Sequence, residues 1–362
     1  MDIFILLSVV LLFMGFYQIT KQGKENLNSG RIFMIVSFVS LIILSGCRGL
    51  TVGTDTPMFV RGFSKVDGLA DINVYENRFE LGYRIFQCIL AEISEDPHFL
   101  LFVSSLVTIV FLYILFYKYS DIPWYSVVVF VFMMFYYNSM CLIRQYLAIS
   151  LTCMAFTFLI EKKYAKFIVL SILAGLFHTS AFVFLIILPI SFIPLKKKNR
   201  FYFIGAAIAA ALLIERLMRV LIRLVPKYAG YLKSENYFLQ NKLGSFLNAA
   251  VFLLFFIVID YIYAKYPSDD ERTKLEYWVA LIGFAIKLAS IQGWIFSRVG
   301  TYFTIICCIS LPNALSKLKS RNDKYIFASV ILFCCIAYNM VIFFFRPYWS
   351  GVIPYYFWNQ LP

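Results

Sequence analysis

Long runs of apolar residues, separated by short polar connections, extend along almost the whole chain. A helix that crosses a membrane needs about 20 predominantly apolar residues. Runs suited to single crossings lie at 3–19, 31–47, 99–117, 123–139, 141–160, 201–215, 246–264, 275–292, 300–316 and 325–345. The pattern predicts an all-α fold, a polytopic transmembrane helical bundle with about 10–12 membrane helices and additional interfacial amphipathic helices.

The apolar run at 167–193 is too long for one ordinary crossing and has lysine-rich flanks at both ends. Positively charged flanks favour the cytoplasmic side, so both ends are expected to lie inside. The run should then leave the cytoplasmic side and return as two short helices. The turn between them is expected near His178 and Thr179.

The basic connections also predict the orientation of the other helices. Alternating the spans places five of these connections on the cytoplasmic side: 20–31, 161–166, 194–200, 265–274 and 317–324. Both termini then face outward. The connection 215–245 is basic as well, yet this alternation places it outside, where long loops follow the charge rule less strictly.

Two polar connections contain segments with the spacing of amphipathic helices. In 79–93, Phe79, Tyr83 and Phe86 recur on one face, which is typical of a helix lying in the membrane interface. Residues 215–225 carry a basic stripe formed by Arg216, Arg219 and Arg223. Such a stripe is suited either to an acidic polymer or lipid phosphate, or to plain anchoring at the interface.

The composition supports a membrane protein with little soluble structure. Apolar residues make up 61% of the 362 residues and charged residues 15%, whereas soluble domains carry roughly 25% charged residues. We therefore expect one integral membrane domain over 1–362, whose outer loops 48–97 and 215–245 form the extracytoplasmic face. The first run lacks a basic segment before it and a cleavage site after it, and is expected to be a retained anchor. Most of the eight cysteines lie inside apolar runs, which favours packing over metal binding or disulfides.

Polar residues gather at the outer ends of the predicted helices. They are Thr54, Asp55, Glu80, Tyr83, Arg144, Gln145, His178, Gln292, Ser297 and Arg298. Each has an ordinary interpretation: Arg144 can extend to the interface, Asp55 can cap a turn, and Arg298 sits in a predicted short turn. The topology used loop charges alone, so their common side independently indicates one outward-facing polar site.

Several classes of function lack their sequence signatures. The chain has no phosphate-binding glycine loop, no HExxH, no GxSxG and no dinucleotide fingerprint. A nucleotide-sugar enzyme or an ATP-driven pump is therefore not expected, and neither a cofactor nor a nucleic-acid partner is predicted. Asp55 and Glu80 leave metal dependence open, but no ligand cluster argues for it, and a metal-free site is favoured.

Five short motifs occur in a fixed order between about residues 50 and 303. They read GTDTPMF, FELGYRIF, IRQYLAIS, GLFHTSAFVFL and FSRVGTYF. In this order the sequence resembles the EpsG family of Wzy-like exopolysaccharide polymerases, and the segment beyond Tyr302 adds little to the resemblance.

The resemblance implies a reaction at the outer face of the bacterial cytoplasmic (inner) membrane. The growing glycan is transferred from undecaprenyl diphosphate to the sugar of a new lipid-linked repeat unit, in exopolysaccharide, capsule or O-antigen biosynthesis. The departing diphosphate needs cations, for which Arg144 and Arg298 are the candidates. The acceptor hydroxyl needs a base, and Asp55, Glu80 and His178 remain open as alternatives. Thr54, Tyr83, Gln145 and Ser297 are expected to contact other parts of the substrate.

Two other classes stay open. A flippase or transporter of lipid-linked oligosaccharides should carry charge near the membrane midplane and show an internal repeat, and neither is apparent here. An outer-leaflet glycan ligase can share both donor and topology with a polymerase. Partners beyond the lipid-linked oligosaccharide and membrane lipid include other polysaccharide-export or chain-length proteins.

Overall fold

The structure is a computed structural model that describes residues 2–21, 27–214, 216 and 242–360. Within these ranges the chain forms 16 α-helices and no β-strand. In chain order the helices are α1 Asp2–Lys21, α2 Leu27–Gly46, α3 Thr56–Phe63, α4 Leu81–Ile93, α5 Pro97–Tyr119, α6 Pro123–Phe132, α7 Phe135–Cys141, α8 Ile143–Ile160, α9 Tyr164–Phe177, α10 Ile187–Ser191, α11 Lys197–Leu212, α12 Lys242–Lys265, α13 Glu271–Ala289, α14 Trp294–Thr304, α15 Cys307–Ser316 and α16 Arg321–Phe345. The predicted all-α polytopic class is confirmed.

Four of the described helices are long and apolar enough to cross a membrane. They are α5, α8, α12 from Gly244 and α16. The pairs α6–α7 and α14–α15 qualify if each is one span, with bends of 56° and 43°. Further apolar helices are shorter than 18 residues, among them α9. The count of 10–12 crossings remains a prediction.

Two predicted spans are broken rather than straight. The span predicted at 123–139 divides at Met134, whose φ of 64° lies in the left-handed region that a continuing right-handed helix excludes. The span predicted at 300–316 begins earlier, at Trp294, and bends after Thr304. An apolar run specifies burial, but it does not reveal where backbone direction changes.

The apolar run at 167–193 is divided at His178, as predicted. Helix α9 ends at Phe177 and His178 is extended, with φ of −155°. The chain continues as a 3₁₀ helix, Thr179–Ile186, and only then as the short α10. The ring of Phe182 lies where a Cβ on Gly175 would be, so the chain after the break packs closely on the end of α9.

Helix α4 differs from the prediction for residues 79–93. It begins at Leu81 and buries the polar side chains of Arg84 and Gln87, whereas the apolar Ile93 is 66% exposed. Arg84 does not pair with Glu80 along the helix; its Nη1 donates to the carbonyl oxygen of Ile72 over 2.9 Å. The bond from Arg84 to the loop before α4 therefore helps to determine which face of this helix is buried.

The chain forms two compact units. The first comprises Met1–Phe182 and Cys335–Pro362, and the second comprises Val183–Cys334. Most of the outer connection predicted at 215–245, including Arg219 and Arg223 of the basic stripe, lies outside the described residues.

In the first unit, the C-terminal segment 346–360 packs against the loop that follows α2. Backbone N–H groups bond to carbonyl oxygens across this junction: Gly49 to Tyr356 (2.9 Å), Gly53 to Gly351 (2.7 Å), Thr54 to Ser350 (3.0 Å) and Trp358 to Cys47 (2.9 Å). The loop carries the GTDT sequence. The C-terminal segment and this loop therefore lie together, and the membrane side that they share remains a prediction.

Candidate functional site

Glu80 lies at the centre of a polar cluster in the first unit. It precedes α4, and its Oε2 forms an ion pair with Nη1 of Arg144, in the first turn of α8. Its Oε1 lies 3.1 Å from Nδ1 of His178 and accepts the backbone N–H of Thr179 over 3.2 Å. The structure therefore brings together three of the predicted site residues, Glu80, Arg144 and His178, from three separate motifs.

The cluster is partly sheltered from solvent. The side chains of Arg144, Glu80 and His178 are 18%, 20% and 28% exposed. Burial alone would raise the pKa of Glu80, but the His178 hydrogen bond and the Arg144 charge outweigh it and lower that pKa to about 2. Glu80 is therefore a carboxylate at any physiological pH, and a weak base.

Three aromatic rings surround the Arg144 guanidinium. The ring centroids of Phe79, Phe59 and Tyr83 lie 4.8, 5.7 and 5.9 Å from its central carbon. Ring faces attract cations, and these contacts stabilise the charge in a sheltered position. Its Nε–H is buried without an acceptor among the described residues. Arg144 therefore keeps donor capacity beyond its bond to Glu80.

Gly82 explains how Glu80 reaches His178. A Cβ at this position would lie 2.9 Å from the carbonyl carbon and oxygen of Leu176, near the end of α9. Contacts shorter than 3.0 Å are essentially never made by real Cβ atoms. The glycine of FELGYRIF thus permits the start of α4 to approach the GLFHTS segment closely enough for the Glu80–His178 contact.

The imidazole of His178 has a defined chemical orientation. Because Glu80 is ionised and can only accept, Nδ1 of His178 must carry the proton in their hydrogen bond. In the neutral ring, Nε2 then bears the free lone pair. No described residue bonds to Nε2. The arrangement is that of a histidine base oriented by a carboxylate.

Asp55 and Thr54 occupy a different part of the first unit. Asp55 is the residue before α3, and its carboxylate makes no capping bond and has no partner in the described chain. The Thr54 hydroxyl donates to the carbonyl oxygen of Trp349 over 3.2 Å. Helix α3 links this loop to the cluster, because Phe59, one turn after Asp55, contacts Arg144. In the described ranges, no group of three or more His, Cys, Asp or Glu is arranged to hold a metal ion.

Tyr83 and Gln145 face the interior. Their exposed fractions are 0% and 4%. Tyr83 contributes one ring to the surroundings of Arg144, and Gln145 follows Arg144 on α8. Both side chains are buried, so neither presents a surface for substrate in this structure.

The second unit contains Ser297 and Arg298. The prediction that Arg298 sits in a turn is wrong: it lies within α14 and is exposed. The turn comes earlier, before Trp294, because Gly293 is extended. Ser297 accepts bonds from Nζ of Lys287, through its carbonyl oxygen at 2.9 Å and its hydroxyl at 3.2 Å. Lys287 is 4% exposed and was not singled out from the sequence.

Arg48 is a second residue that the sequence reasoning missed. It is 1% exposed, and its guanidinium donates to the carbonyl oxygens of Met140 (2.8 Å), Val52 (3.2 Å) and Ser45. It thereby joins the GTDT loop to the end of α7. An arginine at the end of an apolar run was the available signal, since a buried charge needs partners.

The model of the EpsG family matches residues 31–357. The chain belongs to the EpsG family. The match extends well beyond Tyr302 into the aromatic C-terminal segment, to which the sequence motifs gave little weight. Membership supports a polysaccharide-polymerase type of function and, with the apolar helices, a multi-pass membrane protein. No curated protein and no solved structure matches this EpsG family chain significantly.

Proposed function

We propose that this EpsG family protein polymerises lipid-linked oligosaccharide repeat units at the outer face of the bacterial cytoplasmic membrane. The donor is a glycan on undecaprenyl diphosphate, and the acceptor is the sugar of another lipid-linked unit. The observation that carries the proposal is the double contact of Glu80, which holds a cation, Arg144, and an oriented base, His178, on its two oxygens.

Each group has a task in glycosyl transfer. The acceptor hydroxyl attacks the anomeric carbon of the donor and passes its proton to Nε2 of His178. The bond between that carbon and the diphosphate oxygen breaks, and its electron pair leaves with undecaprenyl diphosphate. A new glycosidic bond replaces the broken one, and no nucleotide or redox partner is consumed.

Arg144 is suited to the leaving group. Its Nη1 is engaged by Glu80 and its Nε is buried without an acceptor in the described chain, whereas the side chain as a whole remains 18% exposed. Arginine N–H groups match phosphate oxygens in a fork, and such bonds strengthen as negative charge develops. The surrounding rings hold the guanidinium in place before substrate arrives.

Among the three candidate bases we favour His178. Glu80 is too weak a base, since its pKa is about 2, and serves as a positioning residue between Arg144 and His178. Asp55 makes no contact with this cluster and suits another task. Arg298 lies in the second unit, and its assignment to the diphosphate remains the expectation drawn from the sequence.

The proposed function is tested by deleting the gene for this chain and measuring the size of the lipid-linked glycans that accumulate. Single repeat units on the outer leaflet are expected for a lost polymerase. Full-length chains that fail to be attached would indicate a ligase, and units confined to the inner leaflet a flippase. Restoration by the intact chain, but not by His178→Ala, would link the result to the cluster.

A further inference from the structure

We propose that Trp349, Thr54 and Asp55 form a saccharide-binding subsite beside the Arg144–Glu80–His178 cluster. The ligand is a sugar ring of the repeat unit, at a distance from the bond being formed. The inference rests on the proposed function, because it supplies the binding surface for the same glycan.

The backbone of this patch is fixed from both sides. The Thr54 hydroxyl donates to the carbonyl oxygen of Trp349, and the Thr54 N–H donates to that of Ser350. The N–H of Gly53 donates to the carbonyl oxygen of Gly351. Gly53 and Gly351 both have positive φ, 105° and 62°. A Cβ on Gly351 would lie 2.7 Å from the backbone nitrogen of Thr54. Glycine at this position therefore permits the GTDT loop and the C-terminal segment to approach each other closely.

The side chains on this fixed backbone are at least partly exposed to solvent. Trp349 is 53% exposed although its carbonyl oxygen is bonded. Thr54 is exposed, and the half-buried Asp55 carboxylate has no partner in the described chain. A half-exposed aromatic ring and an unpaired carboxylate, carried by two segments that are bonded to each other, supply the groups that recognise a sugar, whose ring has apolar faces and hydroxyl edges.

The surroundings favour a glycan over lipid. Tryptophan also anchors proteins at membrane interfaces, but a lipid-facing ring would have apolar neighbours. Here the recorded neighbour of the ring is polar, because the central guanidinium carbon of Arg346 lies 5.0 Å from the ring centroid. Phe59, one helical turn after Asp55, touches Arg144. Helix α3 therefore connects the patch to the cluster at which the sugar chain would be joined.

Binding of a soluble glycan to the full chain in lipid nanodiscs tests the subsite. The probe is a set of short oligosaccharides made by partial acid hydrolysis of the producing cell's own extracellular polysaccharide, titrated by calorimetry. Trp349→Ala should weaken binding about tenfold, which corresponds to about 1.4 kcal/mol. Trp349→Phe, which keeps an aromatic face, should stay within about threefold of the natural protein.

Trp358→Ala is the matched control. Trp358 belongs to the same segment, is 59% exposed, and also bonds to the loop, through its N–H and the Cys47 carbonyl oxygen. Its removal should leave glycan binding unchanged. Thermal unfolding of each variant shows whether the chain remains folded.

Three results would overturn the subsite. They are unchanged binding by Trp349→Ala, an equal loss in Trp358→Ala, and no binding by the natural chain. Reduced membrane abundance of Trp349→Ala with normal binding would show a lipid anchor instead. His178→Ala separates the two proposals: it should bind the glycan but not extend it, and normal extension would refute the base and leave the subsite standing.

Discussion

The Nδ1 atom of His178 lies 3.1 Å from Oε1 of Glu80, although 98 positions separate the two residues in sequence. The contact joins the FELGYRIF and GLFHTSAFVFL motifs. A carboxylate that accepts from Nδ1 leaves Nε2 available as a base and stabilises the imidazolium that forms after proton transfer.

Replacing His178 by Ala should lower the rate of polymerisation by about 10²–10⁴-fold, the usual contribution of a general base. Membrane abundance should change little, because the ring is 28% exposed. The measurement is the initial rate of chain extension in isolated membranes supplied with lipid-linked units. His98→Ala is the control, since His98 is the other histidine and pairs with Asp96 instead. A loss of equal size in both variants would contradict the assignment.

Glu80 should make stability depend on pH only in strongly acidic conditions. Its pKa is about 2 in the folded protein against an ordinary 4.5, so the ionised carboxylate stabilises the fold above pH 4.5 and loses this effect as pH falls towards 2. The difference in unfolding temperature between the natural chain and Glu80→Gln, in detergent, should be constant from pH 7 to 5 and shrink below that. A difference that already disappears between pH 7 and 5 would show that Glu80 is not held ionised.

The apolar pattern predicted the helical class, and the lysine flanks predicted the break at His178. These features follow from solvation and charge, which are written locally in the sequence. The sequence placed the motif residues Glu80, Arg144 and His178 at one predicted membrane face, and the structure brings the three side chains together. The Glu80–Arg144 pair was not predicted, because Arg84 lies only four residues after Glu80 and that spacing favours a local ion pair. In the structure, the close packing of Gly82 against Leu176 brings Glu80 to residues that are distant in sequence.

The position of the C-terminal segment was also not predicted from the sequence. Residues 346–358 are rich in aromatic side chains, which in a membrane protein are ordinary at interfaces. Their attachment to the GTDT loop depends on backbone hydrogen bonds, which carry little sequence signal. The two glycines with positive φ, Gly53 and Gly351, were the clearest trace of a tight junction.

Gly82→Ala should separate Glu80 from His178. The added Cβ would lie 2.9 Å from backbone atoms of Leu176, which cannot rotate away. Such overpacking costs about 1–3 kcal/mol and shifts the helix. We expect polymerisation to fall sharply while the chain remains inserted. The control is Gly205→Ala, within α11, where the structure has no atom within 4 Å of the added group. Normal polymer from Gly82→Ala would show that the close approach is unnecessary.

The GTDT loop and the C-terminal segment should be accessible from the same side, and the predicted topology makes that side the exterior. Cysteines introduced by Asp67→Cys and Asn359→Cys, in a background with Cys47→Ser and Cys334→Ser, should react with an impermeant maleimide on intact cells. Lys163→Cys should react only after permeabilisation. All three native side chains are exposed. Labelling of Asp67→Cys and Asn359→Cys only after permeabilisation would invert the orientation and remove the outward site.

Arg144→Lys tests whether the leaving group is bound by a fork or by charge alone. Lysine retains the positive charge, so an ion pair with Glu80 and contact with the aromatic rings can persist and the chain should fold. It loses the planar set of donors that matches phosphate oxygens. We expect a drop of about 10²–10³-fold in the rate of extension, comparable to removing one donor from a site that stabilises developing charge. Arg61→Lys, an exposed arginine on α3, provides the control.

The double variant Arg144→Lys, Arg298→Lys then tests whether the two arginines act on one diphosphate. Groups that bind the same anion are coupled, so their effects should not simply add. If each single variant is impaired and the double is little worse than either, a shared ligand explains the result. Strictly additive losses would mean that the two arginines act on different groups. Polymer of normal length from the double variant would exclude both from the reaction, whatever their positions in the structure.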